Sequence, residues 1–143
     1  MTESPLPLSS AERKTLEAVA EVLVPRAHGM PSAVDVALCR AEGPLDRALR
    51  HRPDLAEALR PLLEDARLVP PSEFIAGLQR DDSPKLHVLL QAVIGAYYLD
   101  GKVRERLGYF GQQPQTLSRA GIGAEGELER MMQRPPMFRR FPL

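Results

Sequence analysis

Few residues of this chain have the types and spacing that catalysis or ligand binding requires. The segment Gly121–Gly126 reads Gly-Ile-Gly-Ala-Glu-Gly and matches the Gly-x-Gly-x-x-Gly pattern of dinucleotide-binding loops. Such a loop works between a strand and a helix of a βαβ unit, with an acidic residue about 20 positions further on. The chain shows no strand pattern before the segment and ends before such a unit could close. We therefore interpret Gly121–Gly126 as a linker.

Three histidines and one cysteine are the other candidates for chemistry. His28, His51 and His87 are far apart, and no two of them have the i, i+4 spacing with a neighbouring acid that marks a helical metal site. Cys39 is the only cysteine, which excludes an internal disulfide, c-type haem attachment and a zinc–thiolate cluster. Since free cysteines are commonly buried, we expect Cys39 to be a small buried core residue. We expect His87, on the flank of the helix 84–99, to be a structural histidine rather than a ligand. The chain alone is predicted to have no catalytic residues, no bound cofactor and no metal.

Composition points to one ordinary globular domain. The chain has 143 residues, of which 43% are hydrophobic and 27% are charged. Its 19 basic and 19 acidic residues cancel, so no overall field would draw it to nucleic acid or to an anionic membrane. We expect neither as a partner.

Apolar residues recur at helical spacing, which predicts an all-α single domain of about six helices. The expected helices are 10–23, 32 to about 42, 45–50, one opening at Pro53, one opening at Pro70–Ser72, 84–99 and a short one at 127–133. Pro61 lies inside the fourth of these, so we expect a kink or two short helices there. Residues 8–107 would form the helical body, and 108–143 an irregular loop and tail.

Two helix starts carry specific signals. Ser9-x-x-Glu12 has the form of a capping box, and Ser83 followed by Pro84 predicts a cap and a first helical residue. Ser32-x-x-Asp35 suggests a further helix start. The inner face of that helix would consist of Val34, Ala37, Leu38 and Ala41.

The helix 84–99 has the strongest pattern and should be the central core helix. Its apolar stripe is Leu86, Leu89, Leu90, Val93, Ile94 and Tyr97. Tyr97 and Tyr98 leave a helix about 100° apart, so we expect Tyr97 to be anchored in the core and Tyr98 to be available. Tyr109, Phe110 and two phenylalanines of the tail add apolar area where regular structure is scarce, and they would contact either the domain itself or a partner.

Two segments together resemble the gluconate 2-dehydrogenase subunit 3 family. The first runs from Leu8 to Pro25 and is similar to the family's opening helix, which ends in an Ile-Pro or Val-Pro step. The second contains Tyr97-Tyr98-Leu-Asp100, Val103, Leu107-Gly108-Tyr109, Gly111-Gln112 and Pro114, and looks like the family's Tyr-rich helix end and Leu-Gly-Tyr loop. The match covers both ends of the helical body.

The resemblance implies a non-catalytic small subunit that stabilises a large flavoprotein of the glucose-methanol-choline oxidoreductase type. That partner would hold FAD and oxidise alcohol groups of sugars or related compounds. Many members of the family carry a twin-arginine leader, whereas the only Arg-Arg pair here is Arg139-Arg140. We therefore expect a cytoplasmic hetero-oligomer.

The expected partner interface consists of the loop after the tyrosines and the tail. Its residues are Tyr98, Leu107, Gly108, Tyr109, Phe110, Gly111, Phe138, Arg139, Arg140 and Phe141. The alternative is a free-standing helical adaptor that binds another protein. A third reading, an independent enzyme, would need a hidden site around His87 and the tyrosines.

Overall fold

The computed structural model describes residues 8–114 and 124–134. These ranges contain seven helices and no strand, which confirms the all-α prediction. The helices are α1 (Ser10–Leu23), α2 (Pro44–His51), α3 (Pro53–Ala66), α4 (Pro71–Arg80), α5 (Pro84–Leu99), α6 (Gly101–Arg106) and α7 (Ala124–Met132). None of the helices in these ranges has the length and apolar character needed to cross a membrane.

The chain divides into two units at the bond between Phe110 and Gly111. The first unit contains α1 to α6 and, among the described residues, every buried hydrophobic residue, from Leu8 to Val103. The second unit contains α7, which begins three residues earlier than expected and so includes Gly126.

Helix α5 is the centre of the first unit. It packs against α2, α3, α4 and α6, while α1 packs against α3 and α4. Its buried residues are Leu89, Ala92, Val93, Ala96 and Tyr97. Three members of the predicted stripe, Leu86, Leu90 and Ile94, are only partly buried. Ala92 and Ala96, which were not part of that stripe, are fully buried instead.

Both strong helix starts form as predicted. The Ser9 hydroxyl accepts a hydrogen bond from the Glu12 amide at 3.2 Å, and the Glu12 carboxylate accepts one from the Ser9 amide at 2.6 Å. Ser83 caps α5 by accepting from the Lys85 amide at 3.3 Å, with Pro84 as the first helical residue. Each cap satisfies amides that a helix leaves unpaired at its start.

The predicted helix from Ser32 to Glu42 was wrong. Ser32 and Asp35 do exchange the expected capping hydrogen bonds, at 2.9 and 3.2 Å. However, Ala37 has φ of 47°, and the Leu38 amide bonds back to the Ala33 carbonyl at 3.1 Å, which closes the chain after one turn. The segment continues as turns instead of a helix, so the residues that it buries are not those of the predicted inner face. Its buried hydrophobic residues are Ala33, Val36, Leu38 and Cys39.

Helix α3 runs unbroken from Pro53 to Ala66 with Pro61 inside it. Of the two expected forms, two short helices are therefore excluded, while a kink at Pro61 stays a prediction. Pro61 lies on the exposed side of α3, while Leu59, Leu62 and Leu63 are fully buried. Core packing on that face holds the helix together despite the amide hydrogen bond that proline removes.

Candidate partner-binding surface

The junction of α5 and α6 is a sharp corner that turns on Asp100. The backbone of Asp100 is extended, with ψ of 135°, and this ends α5 at Leu99. Its buried carboxylate then starts α6 by accepting from the Lys102 and Val103 amides at 2.9 and 3.4 Å. A carboxylate at a helix start satisfies unpaired amides and complements the helix dipole. We call residues 97–110 the corner.

The end of α6 is fixed by a Schellman motif around Gly108. The Gly108 amide bonds to the Glu105 carbonyl at 3.0 Å, and the Tyr109 amide bonds to the Arg104 carbonyl at 2.8 Å. The motif requires a positive φ at the residue that follows the helix C-cap, which is Leu107 here. That residue is Gly108, with φ of 71°. The Leu-Gly-Tyr sequence is therefore a helix stop that sets the direction in which Tyr109 and Phe110 leave the helix.

Four contacts fasten the corner to the segment between α1 and α2 and to α2 itself. They join the Tyr97 hydroxyl to the Pro31 carbonyl at 2.6 Å, Arg106 to the Gly29 carbonyl at 3.3 Å, Arg47 to the Leu99 carbonyl at 3.3 Å, and Arg40 to the Asp100 carboxylate at 3.8 Å. Burial raises the pKa of the Tyr97 hydroxyl, which keeps it a neutral donor. The inner side of the corner is therefore structural.

The outer side of the corner exposes large apolar side chains. The exposed fractions are 52% for Tyr98, 54% for Leu107, 56% for Tyr109 and 73% for Phe110. We call these four residues the corner patch. Exposed aromatic residues concentrated in one segment are typical of protein–protein contact sites.

Tyr109 and Phe110 also border a small depression of about 280 Å³ beside α6. Gly101, Arg104 and Glu105 form the rest of its lining. The Arg104 Nε atom is buried and has no hydrogen-bond acceptor among the described residues. A buried donor without an acceptor is uncommon in folded proteins.

The other predicted interface residues fall in two places. Gly111 begins the second unit, in a segment without regular secondary structure, with φ of 85°. Phe138, Arg139, Arg140 and Phe141 lie outside the described residues. The expected contribution of the tail therefore stays a prediction.

The histidines and the cysteine do not assemble into a site in the described residues. His87 is exposed on α5 and pairs with Gln91 at 2.9 Å. It precedes Tyr97 by ten residues, or about 15 Å along a helix, so the two cannot act on one substrate atom. Burial raises the pKa of the Cys39 thiol to about 12, which makes it a poor nucleophile. Within residues 8–114 and 124–134, no three acidic, His or Cys side chains form a metal-binding group.

A cluster of basic side chains beside α6 was not predicted from the sequence. Arg26 and His28, from the segment after α1, lie with Lys102 and Arg106 of α6 around one groove. The i, i+4 spacing of Lys102 and Arg106 is a signal for one shared helix face. Arg26 and His28 belong to a turn more than 70 residues away from α6 in the chain. No local sequence pattern reveals that this turn lies beside α6.

Comparison of the chain with protein-family models, curated proteins and solved structures found no match. The resemblance to the gluconate 2-dehydrogenase subunit 3 family therefore stays a prediction based on the two segments that carry it.

Proposed function

We propose that this chain is the non-catalytic small subunit of a cytoplasmic FAD-dependent alcohol or sugar dehydrogenase or oxidase complex. In this proposal the corner patch docks on a large flavoprotein of the glucose-methanol-choline type, which holds FAD and carries out the oxidation. The observation that carries the proposal is the corner itself, which is fastened to the body on one side and presents aromatic side chains on the other.

The energetics of the corner patch favour a binding role. Leaving Tyr98, Tyr109 and Phe110 in water forgoes the stabilisation that burial of their apolar area would give, which is about 25 cal/mol per Å². Because the caps of α6 and the contacts to Pro31 and Gly29 already fix the backbone, docking would order little additional structure. Preorganised aromatic anchors of this kind supply most of the affinity in many interfaces.

The depression beside α6 supports the same role. Arg104 lines the depression, so a carbonyl or carboxylate oxygen of the partner bound there would accept a hydrogen bond from its guanidinium. Hydrogen bonds to charged donors contribute about 1.5–3 kcal/mol. Such a contact would add specificity beside the apolar anchors Tyr109 and Phe110.

Co-expression tests the proposal. The chain would be produced with a glucose-methanol-choline-type flavoprotein encoded in the same genome, and the mixture separated by size-exclusion chromatography with detection of protein and flavin absorbance. We expect the two chains to elute together with FAD. The flavoprotein produced without its partner should contain less flavin, and the isolated small chain should give no substrate-dependent turnover.

The adaptor alternative makes a different prediction in the same experiment. A free-standing adaptor would elute alone, soluble and stable, and the flavin content of the flavoprotein would not change when the chain is present. That result would contradict the proposed function.

A further inference from the structure

A basic groove lies against α6 on the side of Lys102 and Arg106. It has a volume of about 600 Å³ and is formed by the segment Arg26–Pro31 together with Asp35, Lys102 and Arg106. We define the basic groove by its four basic residues, Arg26, His28, Lys102 and Arg106. The proposed function uses Arg106 only as a contact that fastens the corner, through its hydrogen bond to Gly29, and gives none of the four side chains a role in binding.

Two of the cationic groups in the groove are not neutralised. Arg26 is paired with Asp35, with 2.8 Å between Nε and Oδ2, so these two charges cancel. Arg106 donates to the uncharged carbonyl of Gly29 at 3.3 Å, and Lys102 has no carboxylate partner in the part of the chain that the structure describes. The groove therefore carries a net positive charge in a molecule whose overall charge is zero.

Backbone hydrogen bonds fix the two elements that carry these charges. Lys102 and Arg106 are one turn apart on the same face of α6, where like charges repel. The opposite wall is a tight turn in which the Met30 amide bonds to the Ala27 carbonyl at 2.8 Å, with positive φ at His28 and Gly29. Because Arg106 bonds to this same turn, both walls are joined. An anion between the walls would relieve the repulsion without moving the backbone.

We infer that the basic groove binds an acidic segment of the partner protein, with its carboxylates placed on Lys102 and Arg106. The groove is much larger than a single inorganic anion requires, and the carbon atoms of Ala27, Met30 and Pro31 lie among its cations. This mixed lining suits a peptide whose carboxylates are carried on apolar stems. The identity of the partner rests on the proposed function, and the charge of its segment is the new element.

The position of the groove agrees with the anatomy of protein interfaces. Helix α6 has the groove along one side, while Gly101, Arg104 and Glu105 adjoin Tyr109 and Phe110 at the depression. Apolar anchors bordered by a charged rim are the usual arrangement in such interfaces. Charge complementarity at a rim adds to the association rate and to specificity.

A titration of the whole chain tests the inference without the flavoprotein. The ¹⁵N-labelled chain is titrated with acetylated hexaglutamate at low ionic strength, and amide shifts are followed by NMR. We expect saturable shifts confined to residues 26–31 and 102–106. K102E/R106E should weaken binding by at least about tenfold, because it replaces both unpaired cations by anions.

The matched control is K14E/R80E. Lys14 on α1 and Arg80 on α4 are exposed and, like Lys102, have no carboxylate partner among the described residues. This variant changes the net charge by the same amount as K102E/R106E, so its affinity should stay within about twofold of wild type if the groove rather than the net charge binds the peptide. Because R106E also removes the bond to Gly29, K102E alone provides a variant whose fold is not at risk, and it too should weaken binding.

Three results would overturn the inference. One is the absence of shifts in the wild-type chain, and another is equal weakening by both charge-reversal pairs. The third is saturation of the same residues by inorganic phosphate at a lower concentration than by hexaglutamate, which would assign the groove to a free anion. Since the titration contains no flavoprotein, these results are separate from the outcome of the co-expression experiment.

Discussion

Tyr97 and Tyr98 are adjacent in α5 but lie in opposite environments. Tyr97 is 5% exposed and donates to the Pro31 carbonyl, whereas Tyr98 is half exposed. The two rings are in an edge-to-face arrangement with centroids 5.6 Å apart, a favourable aromatic geometry. Tyr97 thus positions Tyr98 while it holds the segment between α1 and α2 against the corner.

Replacing Tyr97 by phenylalanine should lower the free energy of unfolding by about 1–2 kcal/mol, because the Pro31 carbonyl loses its donor in a partly buried place. Tyr98→Phe is the matched control. It removes an exposed hydroxyl and keeps the ring contact, so its effect should be below about 0.5 kcal/mol. Urea denaturation of both variants measures the difference, and equal effects would contradict the anchoring role of Tyr97.

Asp35 should make stability depend on pH in the acid range. The Arg26 guanidinium, with the Ser32 amide, holds the pKa of the Asp35 carboxyl well below its usual value of 3.8. A carboxyl group whose pKa is lower in the folded than in the unfolded state stabilises the protein at pH values above its unfolded-state pKa. This stabilisation is lost as the pH falls from there towards the folded-state pKa. The gap in unfolding free energy between wild type and D35N should therefore be greatest above about pH 5 and shrink below pH 4.

R26Q gives the corresponding check on the cause. The hydrogen bond from Arg26 is the largest cause of the lowered pKa of the Asp35 carboxyl. R26Q should therefore remove much of the pH dependence of stability that distinguishes wild type from D35N. A gap between wild type and D35N that stays constant from pH 7 to pH 2 would contradict this assignment. Urea denaturation at a series of pH values measures it.

At the scale of elements, prediction from the sequence succeeded where the signal is local. The α1 and α5 starts follow from side chains within three residues of the first turn. The segment after Ser32 failed because Ala37 adopts a left-handed conformation, which alanine does not signal. Long-range packing of Val36, Leu38 and Cys39 into the core decides that conformation.

Gly108→Ala should destabilise the protein by about 1–2 kcal/mol, because an L-residue is strained at the positive φ that the end of α6 requires. Gly95→Ala, in the interior of α5, is the control. Neither added Cβ would meet an atom within 4 Å, so the two variants differ in backbone conformation and not in packing. G95A should stabilise by about 0.5–1 kcal/mol, and thermal and urea denaturation measure both. Destabilisation of equal size would contradict the account.

Ala37 has the left-handed position at the end of the turn after Ser32 that Gly108 has at the end of α6. Ala37→Gly therefore makes the reverse exchange. Ala37 is exposed, so little packing is lost, and glycine relieves the strain at φ of 47°. We expect this variant to be at least as stable as wild type. A clear loss of stability would show that the alanine methyl group contributes more than its backbone conformation costs.

At the scale of the molecule, the aromatic residues of the site could be predicted from the sequence but their surroundings could not. The concentration of Tyr98, Tyr109 and Phe110 beside Gly108 is visible as a local pattern. The contacts that hold the corner join residues 52 to 77 positions apart, and the basic groove depends on the same contacts. Local periodicity contains no information about such pairings, so the division into a structural inner side and an exposed outer side needed the fold.

The most direct test of the account is the affinity of the corner patch for the flavoprotein. Isothermal titration calorimetry would compare wild type with Y109A/F110A and with the control L68A/V69A, an exposed apolar pair between α3 and α4. We expect Y109A/F110A to weaken binding by about 2–4 kcal/mol without a change in melting temperature, and the control to bind like wild type. An unchanged affinity of Y109A/F110A for a flavoprotein that binds the wild-type chain would contradict the account.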